Sequence, residues 1–254
     1  MFTQLKTLAS TNNSSKDSCL VSFGTYHGNK YESTATDAFK TTSGEITIGN
    51  KCLIQSQWMR VAQHQVQITN NNNNNGNNNQ ATTTTKVIND WLWIDYHDRI
   101  NVLVQDPNSS SMDNNLSFLI LKQTKYALSS QESLAVVGGI VEPNEEPLVA
   151  ARREVEEELH VICNSWTSLG RYRTDVNRGM GWVHPYLARD CSYSKIIVGS
   201  DEEESNGDVG VHDMEKQNVQ SMTLSEVKAS VMDQKFVEVQ WSNTVALAML
   251  HLMT

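Results

Sequence analysis

No apolar run in this chain approaches the roughly 20 residues needed to cross a bilayer, and its start lacks the hydrophobic stretch of a secretory signal. No membrane association is expected. Basic charge is also scarce: Lys and Arg number 20 against 29 Asp and Glu, the formal charge is -9, and no basic cluster occurs. Nucleic-acid binding is therefore not expected, because phosphate contacts need Lys and Arg gathered on one face. An anionic ligand must be held locally, through a metal ion and a few arginines. Cysteine is sparse and scattered. Cys19, Cys52, Cys163 and Cys191 form no C-x-x-C pair, which fits neither a zinc ribbon nor a disulfide framework and points to a reducing compartment. No arginine precedes Arg60, which disfavours a cleaved organelle peptide. A cytoplasmic location is the expectation; Met1 to Ala9, able to form a short amphipathic turn, keeps a mitochondrial address as the alternative.

A chain of 254 residues can bury one sizeable core and still carry extensions. Residues 1–50, rich in Ser, Thr and Asn, read as a flexible polar extension, and residues 51–254 as one domain. Within that domain Asn70 to Thr85 reads NNNNNNGNNNQATTTT, with a single alanine to offset ordering entropy, and is expected to be disordered. Its flanks, WMRVAQHQVQI and VINDWLWIDY, have strand composition, so the run is expected to be an expanded hairpin tip. Ile100 to Asp106 and Ser117 to Gln123 read as buried strands. SLGRYRTDV and GWVHPYLARD follow as strands around the turn Asn177 to Gly181, then an acidic loop from Asp201 to Glu204. Val239 to Leu252 reads as an amphipathic helix offering Val245, Leu247, Ala248 and Leu250 for packing.

The chemistry concentrates between Gly138 and Val161, GGIVEPNEEPLVAARREVEEELHV, where a glycine turn runs into a helix. Glu154, Glu157 and Glu158 stand at i, i+3 and i+4 and so point from one helical face. Like charges so placed repel, and a bound cation relieves them; hard oxygen donors with no thiolate nearby suit Mg²⁺, or Mn²⁺ in its place. Pro147 fits the first helical turn, and Leu148, Val149, Ala151 and Val155 supply the opposite, apolar side.

This spacing resembles the signature of the Nudix hydrolases, G-x5-E-x7-R-E-U-x-E-E-x-G-U with U aliphatic, through Gly139, Glu145, Arg153, Glu154, Val155, Glu157, Glu158 and Val161. His160 stands where the family has glycine, a helix-ending position of left-handed conformation that costs histidine about 1 kcal/mol. The resemblance implies an α/β fold, a Nudix-type α/β/α sandwich with a mixed central sheet preceded by extra N-terminal strands. It implies Glu154 and Glu158 as direct metal ligands with the Gly138 carbonyl, Glu157 at a second ion, and an Arg153–Glu145 pair holding the loop to the helix.

From Trp58 to Leu252 the chain is similar to the ADP-ribose pyrophosphatase branch of that family. There the general base comes from a late acidic loop, which implies Glu215 or Asp213 here, ahead of Glu202 to Glu204. His212 is read as an exposed loop histidine. The branch commonly dimerises through the strands before the core and stacks an aromatic on adenine, for which Trp91, Trp93 and Trp58 are candidates. Arg99, Arg178, Arg171 and Arg173 are candidates for gripping the diphosphate or terminal ribose. The branch also has a proline about sixteen residues past the box, whereas here the next proline is Pro185, so the substrate follows less securely than the reaction. The expected activity is Mg²⁺-dependent hydrolysis of ADP-ribose or an ADP-sugar to AMP and a sugar phosphate. Alternatives are another nucleotide sugar or dinucleotide, or a nucleotide-binding regulator with little turnover; mRNA decapping is disfavoured without a basic track.

Overall fold

The structure, a computed structural model, describes residues 45–56, 59–72, 82–109, 116–129, 131–194 and 217–253. An antiparallel meander comes first: β1 (Glu45–Gln55), β2 (Met59–Asn72) and β3 (Thr82–Tyr96). Next are β4 (Arg99–Gln105), β5 (Ser117–Thr124), β6 (Glu132–Ala135), β7 (Val137–Ile140) and the helix α1 (Pro147–Leu159). The chain continues through β8 (Val161–Ser168), β9 (Tyr172–Asp175), β10 (Gly179–Tyr193), β11 (Gln217–Thr223), α2 (Leu224–Met232) and α3 (Val239–Leu252). All strands join one sheet whose main path is β1-β2-β3-β10-β4-β5-β11, with β7 against β4, β6 against β5, and β8 and β9 against β10. β10 runs parallel to β3 and β4 while the other pairings are antiparallel, so the sheet is mixed.

Two adjacent glycines of β7 show how the layers stack. A Cβ on Gly139 would meet Glu154 of α1, whereas a Cβ on Gly138 would approach Trp241 of α3. Neighbouring strand residues point to opposite faces, so α1 covers one face and α3 the other, with α2 packed beside α3. That is the α/β/α sandwich with extra N-terminal strands. Buried on both sides, β4 and β5 carry near-continuous apolar runs, and Ile100, Val102, Leu103, Val104, Phe118 and Ile120 are fully enclosed.

Several expectations change in detail. β1 begins at Glu45, inside the stretch read as extension, and residues 1–44 lie outside the described part. The hairpin across the Asn/Thr run is present, but its ladder continues through Asn70–Thr84, Asn71–Thr83 and Asn72–Thr82, so the ends of the run are strand. Residues 73–81 lie outside the described part. On α1 the buried set is Pro147, Ala150, Ala151, Val155 and Leu159, and Val149 is exposed because two residues from Ala151 is about 200° of helical turn. Leu250 is exposed on α3 for the same reason, and Trp241, Thr244, Val245 and Ala248 are buried. The cysteine reading also fails: Cys163 on β8 and Cys191 on β10 are cross-strand neighbours joined by a disulfide, with Cα atoms 4.0 Å apart. A sequence separation of 28 conceals a contact that only strand register creates.

Candidate active site

α1 starts at Pro147, which needs no amide partner in the first turn, and ends at His160, whose φ of 53° and ψ of 43° are left-handed. The His160 amide donates to the Glu156 carbonyl at 2.9 Å, and the Ser194 amide and hydroxyl both donate to the His160 carbonyl. Histidine thus occupies the conformation in which the family carries glycine. Between these ends the helix carries Arg153, Glu154, Glu157 and Glu158 toward the β7 loop.

Arg153 organises the site. Its Nε and Nη2 donate to the two oxygens of Glu145 at 3.0 and 3.1 Å, and Nη2 also reaches the Ile140 carbonyl at 3.2 Å. Its Nη1 donates to Glu154 at 2.8 Å and to Glu157 at 3.3 Å. The expected Arg153–Glu145 clamp between loop and helix is therefore formed, and the Glu142 amide adds a bond to Glu145 at 2.9 Å. Burial raises the Glu145 pKa, but the Arg153 hydrogen bond, the Glu142 amide and the Arg153 charge outweigh it and hold the carboxyl below its ordinary value. Glu154 goes the other way, because burial outweighs Arg153 and Glu157 and Glu145 add repulsion. Glu154 is seated so closely on Gly139 that a Cβ there would lie 2.1 Å from the carboxyl carbon. That contact is the physical reason for glycine at this place. Glu158, one turn beyond Glu154, keeps its Oε2 shielded from solvent.

The β4–β7 ladder orients the Gly138 carbonyl. Val141 donates to the Asp98 carbonyl, and bonded pairs alternate along an antiparallel ladder, so Gly139 opposite Ile100 is bonded to β4 while Gly138 and Ile140 turn their carbonyls away from it. The Ile140 carbonyl meets Arg153 on that side, and the Gly138 carbonyl points the same way. Among the described residues no three His, Cys, Asp or Glu side chains converge as metal ligands, since Arg153 draws Glu145, Glu154 and Glu157 to itself.

On the same sheet face, toward β10, lies a row of aromatic and cationic groups. His64 stacks on Trp93 at 5.9 Å, Arg173 lies over both Trp93 and Trp182 at 5.3 and 5.0 Å, and Arg171 lies over Trp182 at 3.8 Å. Trp91 donates its indole N–H to the Asn177 carbonyl at 2.7 Å. Arg178 pairs with Asp175 at 3.7 Å, and its carbonyl accepts from the Ile94 amide. Trp91, Trp93 and Arg178 thus meet at the joint between meander and core. Arg99 starts β4, donates to the Tyr96 hydroxyl at 3.1 Å and lies 3.8 Å from Glu238. Glu215, Asp213 and Trp58 lie outside the described residues. Sequence reasoning missed Asp98, a buried carboxylate whose Oδ1 accepts from the Trp182 amide at 2.9 Å and whose Oδ2 lies 3.6 Å from His184. No local pattern announces a contact 84 residues away.

A glutamate helix packed against the glycines of β7 on a mixed sheet brings the acidic residues of the motif and Arg153 to one place. The NUDIX domain model matches residues 95–241, more than half of the chain, and the chain belongs to the Nudix family. It is a Nudix pyrophosphohydrolase. A crystal structure described as that of an ADP compounds hydrolase shares the fold at a TM-score of 0.53 and 14% identity, covering 84% of this chain and 97% of the other. No curated protein matches the chain.

Proposed function

We propose that this chain hydrolyses the diphosphate of ADP-ribose or a close ADP-sugar, releasing AMP and a sugar phosphate. The observation that carries the reading is the seat of Glu154 on Gly139, held by Arg153 in a helix that also presents Glu157 and Glu158. Glu154 can lie against Gly139 only because that position has no Cβ, and carboxylate and main-chain carbonyl oxygens with no thiolate nearby suit a hard divalent ion. Glu154, Glu158 and the Gly138 carbonyl would hold Mg²⁺, or Mn²⁺ as a substitute, with Glu157 at a second ion. Bound there, the metal supplies Lewis-acid polarisation of the phosphate and a more acidic water. Arg153 keeps the glutamates ordered through Glu145, and Glu215 or Asp213 accepts the proton from the attacking water. Trp91, Trp93 and Arg178 would line the nucleoside and sugar end, whereas Arg99, next to Ile100 on β4, projects to the α3 side beside Glu238 and is set aside as a substrate ligand. The fold likeness to an ADP compounds hydrolase supports an ADP-linked substrate.

The meander strands β1 to β3 would form a homodimer interface, in keeping with the exposed Ile48, Leu53, Ile54 and Leu92. The proposed partner is a small-molecule substrate, with neither nucleic acid nor membrane; the cytoplasmic expectation rested on unpaired thiols, and the Cys163–Cys191 disulfide weighs against it. A substrate panel with Mg²⁺, read out by product identity in ¹⁸O-labelled water, tests the function. ADP-ribose or an ADP-sugar should give the highest kcat/KM, with AMP formed and the label on phosphate. Label on a sugar carbon, or capped RNA far outpacing every ADP-sugar, would overturn it.

A further inference from the structure

The row His64, Trp93, Arg173, Trp182, Arg171 has neighbours on both sides of each inner member and ends at Arg171. Arg171 is exposed, and at 3.8 Å from the Trp182 centroid its guanidinium rests directly on the ring. The main chain that carries this indole is anchored. The Trp182 amide is held by Asp98, which is 2% exposed, and the Asp98 charge also acts on Arg171. Arg173, two residues on, lies over both Trp182 and Trp93 and adds a second cation to the same indole.

The row lies on the sheet face of the glutamate site: Arg171 starts from the β9 edge of β10, opposite β4, and lies over Trp182 on β10. His184 registers with Ile100 across the parallel β10–β4 pairing, and Ile100 registers with Gly139 across β4–β7, so all three residues share a face. Trp182 is two residues from His184 and shares that face. Strand spacing and rise place its Cα about 12 Å from Gly139. That is the reach of one nucleotide from its phosphates to its base. The row is also a local concentration of cations beside a glutamate cluster, in a chain of net charge -9.

We propose that the outer face of the Arg171 guanidinium is the stacking platform for the substrate's base, with Trp182 as its backing; this rests on the nucleoside diphosphate reading above. A delocalised planar cation sandwiched between indole and base holds any nucleobase by its π-face, and a purine more strongly than a pyrimidine because it offers more area. The edge N–H donors of Arg171 stay available to the ribose or α-phosphate. Lysine keeps the charge but has no plane, so Arg171→Lys separates stacking from electrostatic grip.

The test is calorimetric titration of the full chain with AMP, UMP and ribose 5-phosphate, none of which needs turnover. Arg171→Lys should weaken AMP binding about tenfold and UMP binding less, leave ribose 5-phosphate unchanged, and raise KM for ADP-ribose more than it lowers kcat. Trp182→Phe, which keeps a ring behind residue 171, should lose less AMP affinity than Trp182→Leu. Lysine restoring full AMP affinity, or an equal loss for ribose 5-phosphate, would show a charge contact and overturn the platform, as would AMP failing to bind the wild-type chain. If AMP binding depends on the Arg171 plane but no diphosphate is hydrolysed, the platform stands and the hydrolase reading falls.

Discussion

The glutamate site and the N-terminal meander are both built on strands of one sheet, yet they are held by different forces. Around β4, β5, β7 and α1 the apolar residues are sealed between two helical layers. In β1 to β3 the one described apolar residue in the buried set is Ala62, while Ile54 is 60% exposed. The meander joins the core mainly at its last strand, through the Gly179–Ile94 pairing, the Trp91–Asn177 bond and the arginine-tryptophan row. The core buys its rigidity by burying area, and the meander depends on ladder hydrogen bonds and a few aromatic contacts. Positional precision should therefore be concentrated at the glutamate site.

The sharpest way to break this comparison is to remove a site carboxylate. Glu154→Gln and Glu158→Gln should each lower kcat by about 100-fold or more at saturating Mg²⁺. Glu154→Gln should leave Tm unchanged or higher, because burial disfavours the charged carboxylate in the folded state. Near wild-type turnover in either variant would remove that residue from the ligand set.

A matched pair of glycine substitutions compares the two regions directly. In Gly139→Ala the new methyl would lie 2.1 Å from the Glu154 carboxyl carbon, so kcat should fall at least about tenfold as the carboxylate is displaced. In Gly49→Ala on β1 it would lie 2.8 Å from the movable end of Gln65, and activity should stay within about twofold. Equal losses at the two positions would show that the meander is as tightly constrained as the site.

pH sharpens the role of the clamp. The Glu145 pKa is lowered on folding, so its contribution to stability is full above the unfolded carboxyl value and is lost as pH falls through the folded one. Wild type should be more stable than Glu145→Gln at neutral pH, and the gap should narrow as pH falls through the acidic range in denaturant titrations. A gap independent of pH would mean that the Arg153–Glu145 pairing contributes no charge-dependent stability.

The smallest effect concerns the end of α1. His160→Gly should stabilise the fold by about 0.5 to 1 kcal/mol, since glycine adopts the left-handed conformation without the Cβ penalty and the Ser194 bonds are to the main-chain carbonyl. Loss of stability in thermal unfolding would show that the imidazole makes a needed contact.

The glutamate helix was legible in the sequence almost in full: Pro147 at its start, His160 at its end, and Arg153 reaching Glu145. The strands flanking the Asn/Thr run were legible as well, though not how far their ladder extends into it. Val149 and Leu250 were misplaced because hydrophobicity marks a residue as able to pack, while helical phase decides whether it does.

What the sequence determined by itself was local: the 3.6-residue spacing that aligns Glu154, Glu157 and Glu158, and the glycines and proline that start the turn and helix. What only the tertiary structure decided was which distant residues meet. The Cys163–Cys191 disulfide, Asp98 beneath Trp182, and Arg171 laid on that indole all arise from the register of β10 against β8, β9 and β4. Register is a cooperative property of the whole sheet: a one-residue slip would turn every side chain of β10 to the opposite face, and no short stretch of sequence encodes that choice.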